Sequence, residues 1–86
     1  MEEFTYRTSG TCSRMITFSL DDQNRIHDVE FIGGCMGNLK GISSLVEGMP
    51  AQDVIDRVEG TTCGPKHTSC PDQLAHALRE ALEKRA

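Results

Sequence analysis

The hydrophobic repeat of this chain changes period once, at Gly33-Gly34, and that change restricts the fold more than any other feature. Before it, Ile16, Phe18 and Leu20 alternate with Met15, Thr17 and Ser19, the period of two that turns one face of a strand toward a core. Phe4-Thr5-Tyr6-Arg7-Thr8 reads as an earlier strand, parted from Ser13–Leu20 by a break at Ser9-Gly10. The polar cluster Asp21-Asp22-Gln23-Asn24 predicts a hairpin turn, because Asp and Asn side chains bond their own backbone there. A returning strand is expected from Arg25 to Ile32, with Val29 and Phe31 on one face and Asp28 and Glu30 on the other.

Past Gly34 the repeat is helical, with Leu39, Ile42, Leu45 and Val46 at i, i+3, i+6 and i+7 and a stop at Gly48 and Pro50. Pro50 suits the first turn of a second, short helix, which carries Val54, Ile55 and Val58 and ends at Gly60. A loop runs from Thr61 to Ser69. A third helix is expected from Pro71, capped by Ser69 or Cys70, with Asp72 in its first turn, an apolar stripe of Leu74, Ala77, Leu78, Ala81 and Leu82, and Lys84 and Arg85 at its negative end. Strands first and helices afterwards predict an α+β domain, a three-stranded antiparallel sheet followed by two to three helices packed on one face.

At 86 residues the chain builds one core, so residues 1–86 are read as a single domain. There is no Trp and only four aromatic residues, so that core rests on Leu, Ile, Val and Met and is small enough to gain from a staple such as a bound metal. The formal charge of −4 lacks the dense positive stripe that tracks a phosphate backbone, which excludes direct nucleic-acid binding as an expected role. No apolar run approaches the ~20 residues that span a bilayer, and no secretory start is visible, so a cytoplasmic chain without a membrane partner is expected. In that compartment thiols stay reduced, and cysteines point to metal ligation or redox chemistry before a disulfide framework.

The cysteines all fall at element boundaries. Cys12 precedes the second strand, Cys35 follows the third, Cys63 lies in the long loop and Cys70 at the start of the last helix. Cysteines that merely fill a core belong on apolar faces instead. Cys35 and Cys70 stand where helices begin, and the unsatisfied N–H groups there favour thiolate, the form that binds metal. Gly33, Gly34, Gly37 and Gly41 around Cys35, and Gly64 beside Cys63, allow backbone to come close to a site. The intervals C-x22-C, C-x27-C and C-x6-C contain no C-x-x-C knuckle and do not by themselves establish zinc. His67 is an alternative ligand in the cysteine loop; with four thiolates at hand it is read as a solvated residue, and His27 and His76 as surface residues. Gly33-Gly34-Cys35-Met36-Gly37-Asn38 is also a Gly-rich turn opening a helix, but it lacks the Lys-Ser/Thr end of a phosphate loop.

Thr68-Ser69-Cys70-Pro71-Asp72 spells the signature of the TSCPD domain family, and Gly34-Cys35-Met36-Gly37-Asn38 followed by Leu39-Lys40-Gly41-Ile42 resembles that family's central motif. The resemblance runs over nearly the whole chain. It implies association with ribonucleotide reductase and deoxyribonucleotide synthesis, although a chain this short cannot hold a complete reductase. The order of Cys12, Cys35 and Cys70 is more distantly similar to the U-type iron–sulfur scaffolds, whose fold the domain is expected to resemble. Arg14 and Ser69 stand where those scaffolds place an Asp and a His, and Cys63 offers a fourth thiolate, which favours a closed site over an exchangeable one.

The resulting expectation is a small accessory domain that binds zinc or an iron–sulfur cluster through Cys12, Cys35, Cys63 and Cys70 and docks on a larger protein such as a ribonucleotide reductase. The alternatives are an iron–sulfur scaffold or carrier, and a thiol redox partner using Cys63 and Cys70. Zinc and iron–sulfur both accept four thiolates, so the ligand set does not choose between them.

Overall fold

A computed structural model describes every residue of the chain except Cys12, Cys35, Cys63, Lys66 and Ala86, and the side chain of Met36. The elements run β1 (Glu2–Arg7), β2 (Ser13–Leu20), β3 (Ile26–Gly33), α1 (Met36–Val46), α2 (Ala51–Val58) and α3 (Cys70–Arg85). The strands form an antiparallel sheet in the order β1-β2-β3, followed by the three helices, as the change of period requires. Among the described residues no helix is long and apolar enough to cross a membrane.

The alternation on β2 translates directly into the core. Ile16, Phe18 and Leu20 are buried, and Phe4 of β1 pairs with Phe18 across the ladder, the two rings stacking at 5.5 Å. Edge β1 adds Phe4 and Tyr6 to the same face, while Thr5 and Glu3 point away. The helices bring Leu39 and Val46 from α1, Ala51, Val54 and Ile55 from α2, and Leu74, Ala75, Ala77, Leu78 and Ala81 from α3. Each fully buried Leu, Ile or Phe contributes about 1.5–3 kcal/mol by leaving water.

The hairpin turn is built by Asp21. Its Oδ1 accepts the N–H groups of Gln23 at 2.9 Å and Arg25 at 3.0 Å, and Asn24 adopts a left-handed conformation at φ 59°. The returning strand starts at Ile26, one residue later than expected, because Arg25 bridges instead to Pro50.

Two irregularities shift the ladder. Between the pairs Thr17↔Glu30 and Ser19↔His27, β3 carries one extra residue, and Asp28 takes up the strain at φ 56°. The bulge rephases the strand, so Ile26 and Val29 both face the core. Between Ser13↔Gly33 and Met15↔Ile32 the extra residue is on β2, at Arg14, and this bulge turns Ser13 inward.

Leu45 departs from the helical reading. It is 76% exposed, whereas Leu39 and Val46 are buried and Ile42 is partly so. An i, i+3, i+7 stripe already covers the part of α1 that meets β3, and Leu45 lies a step round the helix from it. Pro50 stands just ahead of α2, with its carbonyl accepting the N–H groups of Asp53 and Val54.

Candidate functional site

The Thr68-Ser69-Cys70-Pro71-Asp72 segment forms the head of α3, and each residue has an identifiable task. Ser69 is the N-cap: its Oγ accepts the N–H of Asp72 at 3.2 Å, and its carbonyl accepts that of Gln73 at 2.8 Å. The same hydroxyl donates to the carbonyl of Thr61 at 2.7 Å, which pins the far end of the loop to the helix. Helix α3 therefore begins at Cys70, one residue before the expected start at Pro71. Pro71 fits the first turn, where its missing N–H would have had no helical partner.

Asp72 is buried and closes the loop from inside. One carboxylate oxygen accepts the N–H of Gly60 at 2.7 Å, and the other accepts the hydroxyl of Thr68 and lies 3.3 Å from Nε2 of His76. Burial pushes its pKa up, but the Thr68 and Gly60 hydrogen bonds and the neighbouring His76 outweigh that and hold it below the ordinary value. Gln73, also buried, donates to Thr68 Oγ1 at 3.0 Å and accepts the N–H of Ser9 at 3.1 Å. The β1–β2 connection is thereby seated on the head of α3. Gly10 lies against Thr68 so closely that a Cβ would come within 3.0 Å of the Thr68 methyl.

Cys70 is 8% exposed and stands apart from the contiguous apolar core, which begins on α3 at Leu74. Its Sγ is 3.3 Å from Oγ of Ser13, the buried first residue of β2. Oγ of Ser13 is in turn 3.1 Å from Oγ1 of Thr11, and its carbonyl accepts the hydroxyl of Thr8 at 2.6 Å. Ser13 pairs with Gly33 across the sheet. The start of β2, the end of β3 and the head of α3 thus meet at one place.

Of the expected ligands, Cys70 is at this place, while Cys12, Cys35 and Cys63 lie outside the described residues. Their described neighbours are informative all the same. Ser13, next in the chain after Cys12, touches Cys70; Gly33, two before Cys35, pairs with Ser13; and Thr61, two before Cys63, is bonded to Ser69. His67 is exposed. Among the described residues no three His, Cys, Asp or Glu side chains are grouped to hold a metal ion.

The model of the TSCPD domain family matches residues 2–82, nearly the whole chain. The chain belongs to the TSCPD domain family. No curated protein and no solved structure matches it. In this TSCPD domain the signature is an anchoring device around one thiol: Thr68 and Asp72 close the loop, Ser69 caps the helix, and Cys70 faces the sheet end.

Sequence reasoning overlooked Ser13 and Gln73. Counting back from Leu20, Phe18 and Ile16 in steps of two places Arg14 inward, and only the bulge turns Ser13 in its place. Gln73 did carry a signal, because it lies four residues before Ala77 and so on the buried side of α3.

Proposed function

We propose that this TSCPD domain binds one zinc ion or iron–sulfur cluster through Cys12, Cys35, Cys63 and Cys70 and acts as an accessory module of a larger protein. The observation that supports the shared site is the Ser13 junction, which pairs with Gly33 and touches Cys70 and so brings the chain segments next to Cys12 and Cys35 toward the head of α3. The Ser69 to Thr61 bond draws in the segment that leads to Cys63. Buried sulfur beside a hydroxyl is a donor environment that suits a soft or borderline metal, and a metal held by thiolates would add folding free energy to a small core. Association with a ribonucleotide reductase is what the family resemblance implies, and it belongs to this proposal together with the cytoplasmic location expected above.

Elemental analysis and the ultraviolet–visible spectrum of protein purified without oxygen test the reading. A brown chromophore identifies iron–sulfur, and a colourless sample with stoichiometric metal identifies zinc. A metal content near zero that reconstitution cannot raise sinks it. Cys35→Ser and Cys70→Ser should each abolish stoichiometric binding, whereas Cys63→Ser should keep a weaker, open site.

A thiol redox partner using Cys63 and Cys70 is the second reading, favoured by the bond that ties the start of the Cys63 loop to Ser69. Reversible two-electron oxidation of metal-free protein would support it.

A further inference from the structure

Ser13 and Thr11 form a short hydroxyl chain that ends on Cys70. Oγ1 of Thr11 lies 3.1 Å from Oγ of Ser13, and Oγ of Ser13 lies 3.3 Å from Sγ of Cys70. Ser13 is only 4% exposed, so water does not supply a ready substitute for this partner. The backbone holds the hydroxyl in place: the carbonyl of Ser13 is fixed by Thr8, the strand by its pairing with Gly33, and the sulfur by the capped first turn of α3.

In the protonated thiol either partner of each pair can donate. A metal-bound thiolate has no proton and only accepts. Ser13 then has to donate to the sulfur, and its own oxygen is left to accept from Thr11. Ligation thus fixes the Ser13 to Cys70 direction and frees the Ser13 oxygen to accept from the Thr11 hydroxyl, which also lies 3.3 Å from the Ser13 carbonyl as a second acceptor. Hydrogen bonds to charged acceptors are roughly twice as strong as neutral ones, and partners that orient a metal ligand from behind tune both affinity and electronic character.

We infer that Ser13 is a positioning residue for the site, donating its hydroxyl proton to the Cys70 thiolate and drawing electron density from the sulfur, with Thr11 aligning Ser13. The inference rests on the metal-binding reading proposed above. It adds two residues to the site that are neither cysteine nor histidine.

Cobalt(II) is a suitable probe, because thiolate-to-cobalt charge transfer reports the energy of the sulfur lone pair. Removing the hydrogen bond in Ser13→Ala should weaken cobalt affinity about tenfold or more at unchanged stoichiometry. It should also move the charge-transfer band to longer wavelength. Ser13→Thr, which keeps the hydroxyl, should restore the band position, a result that loss of packing alone would not produce. Thr11→Val provides a second variant on the more exposed loop and should shift the band less, in the same direction. Wild-type affinity and band position in both Ser13→Ala and Thr11→Val would overturn the inference while leaving the metal site intact. Should the wild-type chain take up no cobalt, the zinc form of the metal reading is refuted, and the anaerobic spectrum decides the iron–sulfur form. The hydroxyl-to-sulfur bond is then read from the rate at which iodoacetamide labels Cys70, located by peptide mass. A changed rate in Ser13→Ala supports the bond, and an unchanged rate overturns it.

Discussion

Asp72 accepts the backbone N–H of Gly60 at 2.7 Å across the width of the loop that precedes α3. Its other oxygen accepts the Thr68 hydroxyl, so one carboxylate holds both ends of the loop that contains Cys63. Asp72→Ala removes the charged acceptor shared by the Gly60 N–H and the partly buried Thr68 hydroxyl, and losing hydrogen bonds to a charged group costs about 1–3 kcal/mol. For a domain of this size each kcal/mol lowers Tm by about 4–8 °C. Thermal unfolding followed by circular dichroism checks the value, and a Tm unchanged within a degree would show that the loop is held by other means.

Two glycines should respond in opposite directions to the same substitution. Gly10 has φ +74° and meets the Thr68 methyl, so Gly10→Ala is both strained and crowded and should destabilise by about 1 kcal/mol or more. Gly41 lies inside α1, and a Cβ there meets nothing within 4 Å. Gly41→Ala should stabilise by about 0.5–1 kcal/mol through helix propensity. Urea unfolding midpoints of the two variants measure both signs together.

Leu39 and Leu45 share a helix and a residue type but not an environment. Leu39→Ala should cost about 2–5 kcal/mol, because it opens a cavity where α1 meets β3. Leu45→Gln, at a position 76% exposed, should stay within about 0.5 kcal/mol of the parent. Equal losses in the two variants would contradict the placement of α1.

His27 is clipped between two carboxylates on different elements, with Nε2 2.8 Å from Asp21 in the hairpin turn and Nδ1 2.7 Å from Glu47 just past α1. The hydrogen bonds to Asp21 and Glu47 raise the His27 pKa above its ordinary value. The His27 bond and the turn N–H groups lower Asp21 to about 2, and Glu47 is lowered chiefly by the N–H of Asp28 and then by His27. Because the folded-state pKa of His27 is raised, its contribution is complete below the unfolded value near 6.5 and fades as pH rises through the folded value. Asp21 and Glu47 work the other way: their contributions hold above their ordinary values of 3.8 and 4.5 and fade as pH falls through the lowered ones. The clip is therefore strongest between about pH 4.5 and 6.5. His27→Gln should remove part of the stability difference between pH 5.5 and 8.5, read from urea midpoints. The same difference in parent and variant would show that the clip does not contribute. The effect should be modest and should shrink in salt, since the group lies at the surface.

The periods of two and 3.6, the Asp-rich turn, a cap at Ser69 or Cys70 and the signature string are local, and local chemistry reads directly from sequence. A residue's neighbours within a turn are set by the chain itself, so the three strands, three helices and their order followed from the spacing of Ile16, Phe18, Leu20, Leu74 and Leu78. Even the error at Leu45 was local in origin, because a helical repeat shows which residues share a face but not how wide a stripe the sheet will cover. The site is another matter. Ser13 meets Cys70 across 57 residues, Asp72 meets Gly60 across 12, and His27 meets Glu47 across 20. The contacts of the sheet depend on where two bulges fall. The extra residues at Arg14 and Asp28 each invert the alternation of a strand, turning Ser13 toward the sulfur and the Asp28 N–H toward Glu47. A bulge adds no residue type that a sequence pattern can flag; it is selected by the summed packing of the sheet against its helices, and only the folded chain decides it.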